Sequence, residues 1–360
     1  MKYLVVIPAL NPGKELIEYV DTLLAHGYTD LLLVDDGSRE DVRFIFDAVE
    51  KKPGCMVLRH DVNLGKGRAL KDAMRFYLDN CMTYTDGSGE TEDMFAGMIT
   101  VDSDGQHTVE DVNKVAAAMK DDTEALILGA RDFDAGNVPP KSLFGNKCTR
   151  VVMKLFIGAD IKDTQTGLRG IPNAMMERFS RLKGERFEYE TRMLIDAIGS
   201  HERIVEVPIE TVYINDNIET HFHPIIDSVK IYSVILGTFF RYMLASLSSF
   251  LVDYGIFCGL IYALSRTDIA KTPSVWIATA VARVCSSLFN YTVNKKVVFK
   301  SRRGAITLLM YYALCVVQMA ASAWLVSLIG MTGFPVQIAK IIVDSILFLI
   351  SFRVQKTLIF

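Results

Sequence analysis

The chain has 360 residues, 50% of them hydrophobic and 22% charged, with 39 Lys/Arg against 42 Asp/Glu; that apolar content excludes intrinsic disorder and collagen, and the length allows about two domains. The charge is divided unevenly. Residues 231–360 carry 12 Lys/Arg and 3 Asp, a net of +9, which leaves 27 Lys/Arg and 39 Asp/Glu, a net of −12, on residues 1–230. An acidic first part repels phosphate and excludes a nucleic-acid surface there, and an apolar, basic last part predicts a soluble domain followed by a membrane domain.

In chain order, residues 3–8 form a β-branched run that predicts a buried strand. Asn11 is expected to cap the next helix with Pro12 at its first position, and Leu16, Tyr19, Val20, Leu23 and Leu24 repeat at helical spacing until Gly27. A strand at 31–34 ends in Asp35-Asp36-Gly37-Ser38. A helix over about 40–51, a strand at 56–59 and a helix over about 67–80 follow. Residues 84–92 are polar with two glycines and read as a loop. A strand at 98–101 ends at Asp102, and a helix at 109–120 and a strand at 125–128 complete the series. Strands alternating with helices predict an α/β domain with a mostly parallel sheet covered on both faces, whose ligands bind beyond the carboxyl ends of the strands.

Four apolar stretches of about 20 residues follow, at about 242–264, 275–293, 306–329 and 334–352. Each is long enough to cross a ~30 Å hydrocarbon core, so an all-α, four-helix transmembrane domain over 241–360 is expected. The loop with Lys295, Lys296, Lys300, Arg302 and Arg303, and the end with Arg353 and Lys356, are assigned to the cytoplasmic side by their charge. Four spans then place the first domain, 1–224, in the cytoplasm of a multi-pass cell-membrane protein. Residues 1–10, apolar but closed by Asn11-Pro12, are too short for a signal peptide, which agrees. Residues 225–240 are expected to form an interfacial juxtamembrane helix. The six cysteines (Cys55, Cys81, Cys148, Cys258, Cys285 and Cys315) include no CxxC pair and fit a reducing compartment.

Asp102-Ser103-Asp104 places two carboxylates one residue apart at a strand end. Both can approach one Mg²⁺ or Mn²⁺, which prefers oxygen and keeps phosphate oxygens in its shell; a solvated turn is the bland alternative. Acidic residues at Asp35-Asp36 can accept from a base N–H or ribose hydroxyls.

Ile7-Pro8-Ala9-Leu10-Asn11, Val34-Asp35-Asp36-Gly37-Ser38, Asn63-Leu64-Gly65-Lys66-Gly67 and Asp102-Ser103-Asp104 occur in the order of a family 2 glycosyltransferase of GT-A (Rossmann-like) fold, which the chain resembles over about 1–230. Gly129-Ala130-Arg131, Asp163-Thr164-Gln165-Thr166-Gly167-Leu168-Arg169 and Phe187-Glu188-Tyr189-Glu190 narrow the resemblance to polyprenyl-phosphate glycosyltransferases of the dolichyl-phosphate mannose synthase group. Residues from about 235 resemble a GtrA-like four-span domain, through Phe289-Asn290-Tyr291, Asn294-Lys295, Val298-Phe299, Ser351-Phe352-Arg353 and Gln355-Lys356.

The resemblance implies roles. Pro8, Ala9 and Asn11 border the nucleotide, Asp36 contacts its base or ribose, and Lys66 lies near the diphosphate. Asp102, Ser103, Asp104 and Gln106 meet the nucleotide sugar, with Asp102, Asp104 and Gln106 as ligands of Mg²⁺ or Mn²⁺. Asp102, Asp104, Arg131 and Arg169 form the catalytic set, the arginines offering forks matched to phosphate oxygens. Arg131, Lys141, Ser142, Arg169, His221 and Lys230 would meet the acceptor phosphate. Two departures are visible: Pro12 stands where the family carries Glu, and Lys141 stands where mannose synthases carry Arg before the Ser. They favour a UDP-sugar over a GDP-sugar.

The expected reaction is inverting, metal-dependent transfer of one hexose to polyprenyl phosphate, giving a lipid-linked sugar for cell-envelope or protein glycosylation. A polysaccharide synthase is disfavoured, since Trp276 and Trp324 both lie in spans and no Gln-x-x-Arg-Trp motif occurs. In a transporter reading the membrane domain also flips the lipid-linked sugar, which would require a homo-oligomer; another lipid or glycan acceptor is the remaining alternative. His107 either orients a carboxylate or supports its turn. Within the spans, Lys340 and Asp344 are expected to pair along one helix and Asp253 and Arg283 between helices, either fixing the bundle or lining a headgroup path.

Overall fold

The computed structural model describes residues 1–81, 83–85, 91–93, 95–131, 140–210, 224–266 and 271–360, with the backbone alone at 83–85, 91–93, 140–142, 224 and 271–272. It divides into Met1–Ile235 and Leu236–Phe360.

In the first unit, strands β1 (Tyr3–Ala9), β2 (Leu31–Asp35) and β3 (Cys55–Arg59) alternate with helices α1 (Glu15–Ala25), α2 (Arg43–Glu50) and α3 (Lys66–Asn80). A short pair, β4 (Thr83–Thr85) and β5 (Thr91–Asp93), follows, then β6 (Gly97–Thr100), α4 (Val109–Asp121), β7 (Leu126–Arg131), α5 (Pro140–Phe156), β8 (Arg169–Pro172), α6 (Asn173–Ser180), α7 (Glu188–Gly199) and β9 (Ile204–Ile209). Seven strands form one sheet in the order β3-β2-β1-β6-β8-β7-β9. All pairings are parallel except those of β8, which runs against β6 and β7. The strand period of two divides the core: Leu4, Val6, Leu32 and Val34 face α3, α6 and α7, while Val5, Ile7, Leu31 and Leu33 face α1, α2 and α4.

Two local expectations are corrected. The stretch read as a loop at 84–92 contains the antiparallel β4–β5 pair; residues 86–90 lie outside the described residues. β8 is antiparallel because it leaves the loop at the carboxyl edge and must run back across the sheet. Asn11 does not cap α1, which begins at Glu15 with Lys14 at the cap. Asn11 takes a left-handed φ of 47°, its N–H donates to Ser38 Oγ at 2.9 Å, and its Oδ1 accepts from Arg39 N at 2.9 Å. It clamps the end of β1 to the turn after β2.

The last part contains α8 (Pro224–Leu264), α9 (Lys271–Val293), α10 (Ile306–Gly330) and α11 (Val336–Val354). α8 is one helix of 41 residues, so the expected juxtamembrane helix and first span are continuous. Ile225–Leu264 and Ile306–Gly330 are long and apolar enough to cross a membrane; α9 and α11 carry Arg283 and Lys340 with Asp344 and are less apolar. The charges pair as expected. Arg283 Nε lies 3.8 Å from Asp253, which also accepts from Ser286 Oγ at 2.9 Å. Lys340 lies 2.9 Å from Asp344, which accepts from Ser322 Oγ at 2.6 Å.

The second unit also repeats itself, at a constant shift in residue number within each helix pair. Ser249 Oγ donates to Ser286 O at 2.8 Å, as Gln318 Nε2 does to Leu347 O at 2.8 Å. Tyr242 meets Phe352 at 5.4 Å between ring centres, as Tyr311 meets Tyr291 at 5.6 Å. α9 and α11 both end in a π-helical turn, Asn294–Val298 and Gln355–Ile359. The halves meet where Asn294 Nδ2 donates to Gln355 Oε1 at 3.1 Å and Phe299 stacks on Phe360 at 5.4 Å. The two helix pairs thus make corresponding contacts.

Candidate active site

The carboxyl ends of β1, β2, β6 and β7 and the start of β8 share one edge of the sheet, and the polar motifs gather there. Pro8 and Ala9 are buried at the end of β1. Asp36 N donates to Ala9 O at 2.9 Å, and Asp35 Oδ1 accepts from Ser38 N at 2.8 Å. Asp36 is buried and turned toward the chain itself. It accepts from Leu64 N at 2.9 Å, Gly65 N at 2.7 Å and His60 Nδ1 at 2.8 Å. Both its oxygens therefore hold the Asn63–Gly67 turn. Gly65 has φ 102°, and a Cβ there would collide with Glu185 O, so the turn needs glycine on both counts.

That turn sets Lys66 at the first position of α3. Its Nζ lies 2.6 Å from Asp102 Oδ1 and 2.9 Å from Glu190 Oε1. Burial alone would lower its pKa, but the two carboxylates raise it well above the ordinary lysine value. Burial likewise would raise Asp102, yet Lys66 and then His107, whose Nε2 is 3.5 Å from Oδ2, hold it well below the usual carboxylate range. Asp104 is exposed beside it, and its Oδ1 accepts from Gln106 N at 3.1 Å. Ser103 and Gln106 are half-buried in the same turn.

The Asp163–Arg169 loop closes the opposite wall. Arg131 grips the fully buried Asp163 with a fork, Nε to Oδ2 at 2.6 Å and Nη2 to Oδ1 at 3.1 Å. Arg169 is fully buried too, and its guanidinium donates to Thr166 O at 2.9 Å, Glu190 O at 2.8 Å and Thr164 O at 3.3 Å. It pins this loop to α7 and is itself without exposed surface. Gly167 brings the loop against Asp102: a Cβ there would fall on the Asp102 carboxylate.

Lys66, Asp102, Asp104 and Gln106 are thus brought together, with Arg131 and Arg169 one loop away. Lys230, on α8, is half-buried. The side chains of Lys141 and Ser142, and all of His221, lie outside the described residues. Glu190, Asp163 and Gly167 were missed as site residues. In the sequence Glu190 is marked only by its place in Phe187-Glu188-Tyr189-Glu190, and Asp163 and Gly167 lie in the segment that ends at Arg169. The oxygen donors of Asp102, Asp104 and Gln106 fit a hard divalent cation. Among the described residues no three or more His, Cys, Asp or Glu side chains gather to hold a metal.

A mostly parallel sheet with an Asp-x-Asp turn and a lysine at its carboxyl edge defines a GT-A type glycosyltransferase. Residues 4–181 match glycosyl transferase family 2, and residues 241–360 match the GtrA/DPMS transmembrane domain. The chain is 31% identical over 213 residues to an uncharacterized protein of Methanocaldococcus jannaschii, covering 58% of this chain and 81% of that one. It is 27% identical over 229 residues to the UDP-N-acetylglucosamine–dolichyl-phosphate N-acetylglucosaminyltransferase of Methanococcus voltae, covering 58% of this chain and 84% of the relative. Mannosyl-3-phosphoglycerate synthase from Rubrobacter xylanophilus is a structural neighbour at 15% identity and TM-score 0.47, over 68% of this chain and 74% of that one. The chain belongs to glycosyl transferase family 2 and carries a GtrA-like membrane domain.

Proposed function

We infer that the protein transfers a single hexose from a UDP-sugar to polyprenyl phosphate, with N-acetylglucosamine the first donor to test. One observation carries the reading: Asp102 and Asp104 stand with Lys66 at the carboxyl edge of the sheet, in a chain that ends in a GtrA/DPMS domain. The relative from Methanococcus voltae supports the donor and the acceptor class. α5 supports a lipid acceptor. It buries Asn146, Thr149 and Met153 on one face and exposes Phe144, Val151 and Leu155 in a stripe on the other, flanked by Lys147, Arg150 and Lys154. An exposed apolar stripe edged with basic residues fits a bilayer surface. In this reading all four C-terminal helices span the membrane, and the first unit works in the cytoplasm.

The acceptor needs little activation. A phosphate monoester has its second pKa near 6, so it is mostly dianionic at neutral pH and already nucleophilic. Its oxygen attacks the anomeric carbon as the bond to the nucleoside diphosphate breaks and the diphosphate leaves with the electron pair. One displacement inverts the anomeric centre, and no general base is required. The chain's task is to hold two phosphate groups close without repulsion. Lys66 and Arg131 supply positive charge, and Asp36 and Arg169 fix the turn and the loop that carry the site. A Mg²⁺ or Mn²⁺ ion on Asp102, Asp104 and Gln106, when bound, neutralises charge on the departing diphosphate.

The test is product formation by purified protein in detergent, with undecaprenyl phosphate, Mn²⁺ or Mg²⁺ and a panel of UDP- and GDP-sugars, read by mass spectrometry of the lipid fraction. A metal-dependent gain of one sugar mass, absent in Asp104→Ala, is expected. Folded protein that binds a nucleotide sugar yet makes no lipid product with any donor would overturn the acceptor.

A further inference from the structure

Lys66 sits between two carboxylates with different freedoms. Asp102 faces the cleft, whereas Glu190 is only 2% exposed and begins near the start of α7. The Glu190 backbone is fixed by Arg169, which donates to its carbonyl at 2.8 Å. The base of the Lys66 side chain is fixed as well, since Asp36 holds the preceding Gly65 N–H at 2.7 Å. Between these anchors runs a flexible four-carbon stem with a compact charge at its tip. That charge lies on Asp102 Oδ1 at 2.6 Å, and His107 Nε2 lies 3.5 Å from the other oxygen.

A divalent cation needs carboxylate oxygens at about 2.0–2.2 Å. A divalent cation on Asp102 Oδ1 would stand beside an ammonium 2.6 Å from the same atom, close enough for the two cations to repel strongly. One of them must give way. We propose that Lys66 competes with the divalent cation for Asp102, and that Glu190 is the positioning residue that decides the contest by keeping the ammonium when it leaves Asp102. The inference rests on the donor-site reading of Asp102 and Asp104. A buried Glu190 carboxylate without a partner would be costly, so the released ammonium stays on Glu190, at the wall of the donor site. There it meets the diphosphate, whose negative charge replaces that of Asp102. No covalent bond changes.

The experiment measures Mn²⁺ binding to the full chain in detergent, without nucleotide, from the spin resonance of free Mn²⁺. UDP binding at saturating Mn²⁺ is measured alongside by calorimetry. Lys66→Met removes the competitor, so Mn²⁺ binds about tenfold more tightly while UDP binds about tenfold more weakly. Glu190→Gln leaves the ammonium with Asp102 as its only charged partner, so Mn²⁺ binds several-fold more weakly. A purely structural role for the pair would weaken Mn²⁺ binding in both. The double variant K66M/E190Q buries no lone charge, serves where the single variant does not fold, and also binds Mn²⁺ more tightly than the wild type. Unchanged or weakened Mn²⁺ binding in both Lys66→Met and the double variant overturns the competition. A wild-type protein that binds neither Mn²⁺ nor UDP with Mn²⁺ overturns the donor-site reading itself, before any variant is compared.

Discussion

Gly167→Ala tests the architecture of the site with one methyl group. The φ at Gly167 is outside the left-handed region, so alanine is permitted by the backbone and the effect is steric. The new Cβ would overlap Oδ1, Oδ2 and Cγ of Asp102, whereas real Cβ atoms stay beyond 3.0 Å. A gap of about 1 Å must open between the new Cβ and the partly exposed Asp102 carboxylate. The loop resists moving, because Gly167 O accepts from Thr100 Oγ1 at 2.7 Å and Leu168 O accepts from Gly129 N at 2.9 Å. Asp102 therefore yields, and it carries Lys66 with it. Overpacking of this kind costs about 1–3 kcal/mol of stability, and a displacement of about 1 Å in a positioned group costs on the order of 100-fold in rate. The assay is the initial rate of lipid-linked sugar formation, with thermal unfolding measured on the same preparation. A variant that melts lower but turns over at the wild-type rate would show that the loop moves instead, and one that matches the wild type in both would refute the packing argument.

Further outcomes follow from individual contacts. Arg169→Lys leaves carbonyls of the Asp163–Arg169 loop and of α7 without donors and lowers stability by about 2–3 kcal/mol, read as a fall in melting temperature, while Asp104→Ala, at an exposed position, melts within about 0.5 kcal/mol of the wild type. Asp36→Asn turns an amide N–H₂ toward one of the backbone N–H groups it now accepts, costs about 1–2 kcal/mol and weakens UDP binding by loosening the turn before Lys66. Chelation of divalent ions abolishes transfer, and added Mn²⁺ or Mg²⁺ restores it; full activity in excess chelator would exclude the ion. Glu185, which burial would raise, is held below its ordinary value of 4.5 by Lys71 and Arg68. Its contribution is therefore complete above that value and lost as the pH falls, so between roughly pH 5 and 3 the wild type loses melting temperature faster than Glu185→Gln.

Much of this was legible in the sequence because it depends on local pattern. Alternating strands and helices in the first unit, the polar motifs at strand ends and the glycine-bounded turn around Lys66 follow from periodicity and backbone permissiveness, which act over a few residues. The membrane charge pairs were legible too, since a charge in an apolar helix demands a counter-ion and few were at hand. Other features required the fold. β8 is four residues long, and its direction is set by a partner dozens of residues away. Asn11 looked like a helix cap, but a short amide serves equally to clamp two strand ends once they lie side by side. The chemistry of Asp36 and Arg169 suits phosphate and sugar and equally suits backbone N–H groups and carbonyls, and only the fold shows which backbone groups they meet. Glu190 became visible for the converse reason. A carboxylate on a helix is unremarkable in a sequence, and only the packing of α7 against the Gly65–Gly67 turn puts it within 2.9 Å of Lys66. Residue type determined what each group can bind, and the tertiary structure decided which partner reaches it first.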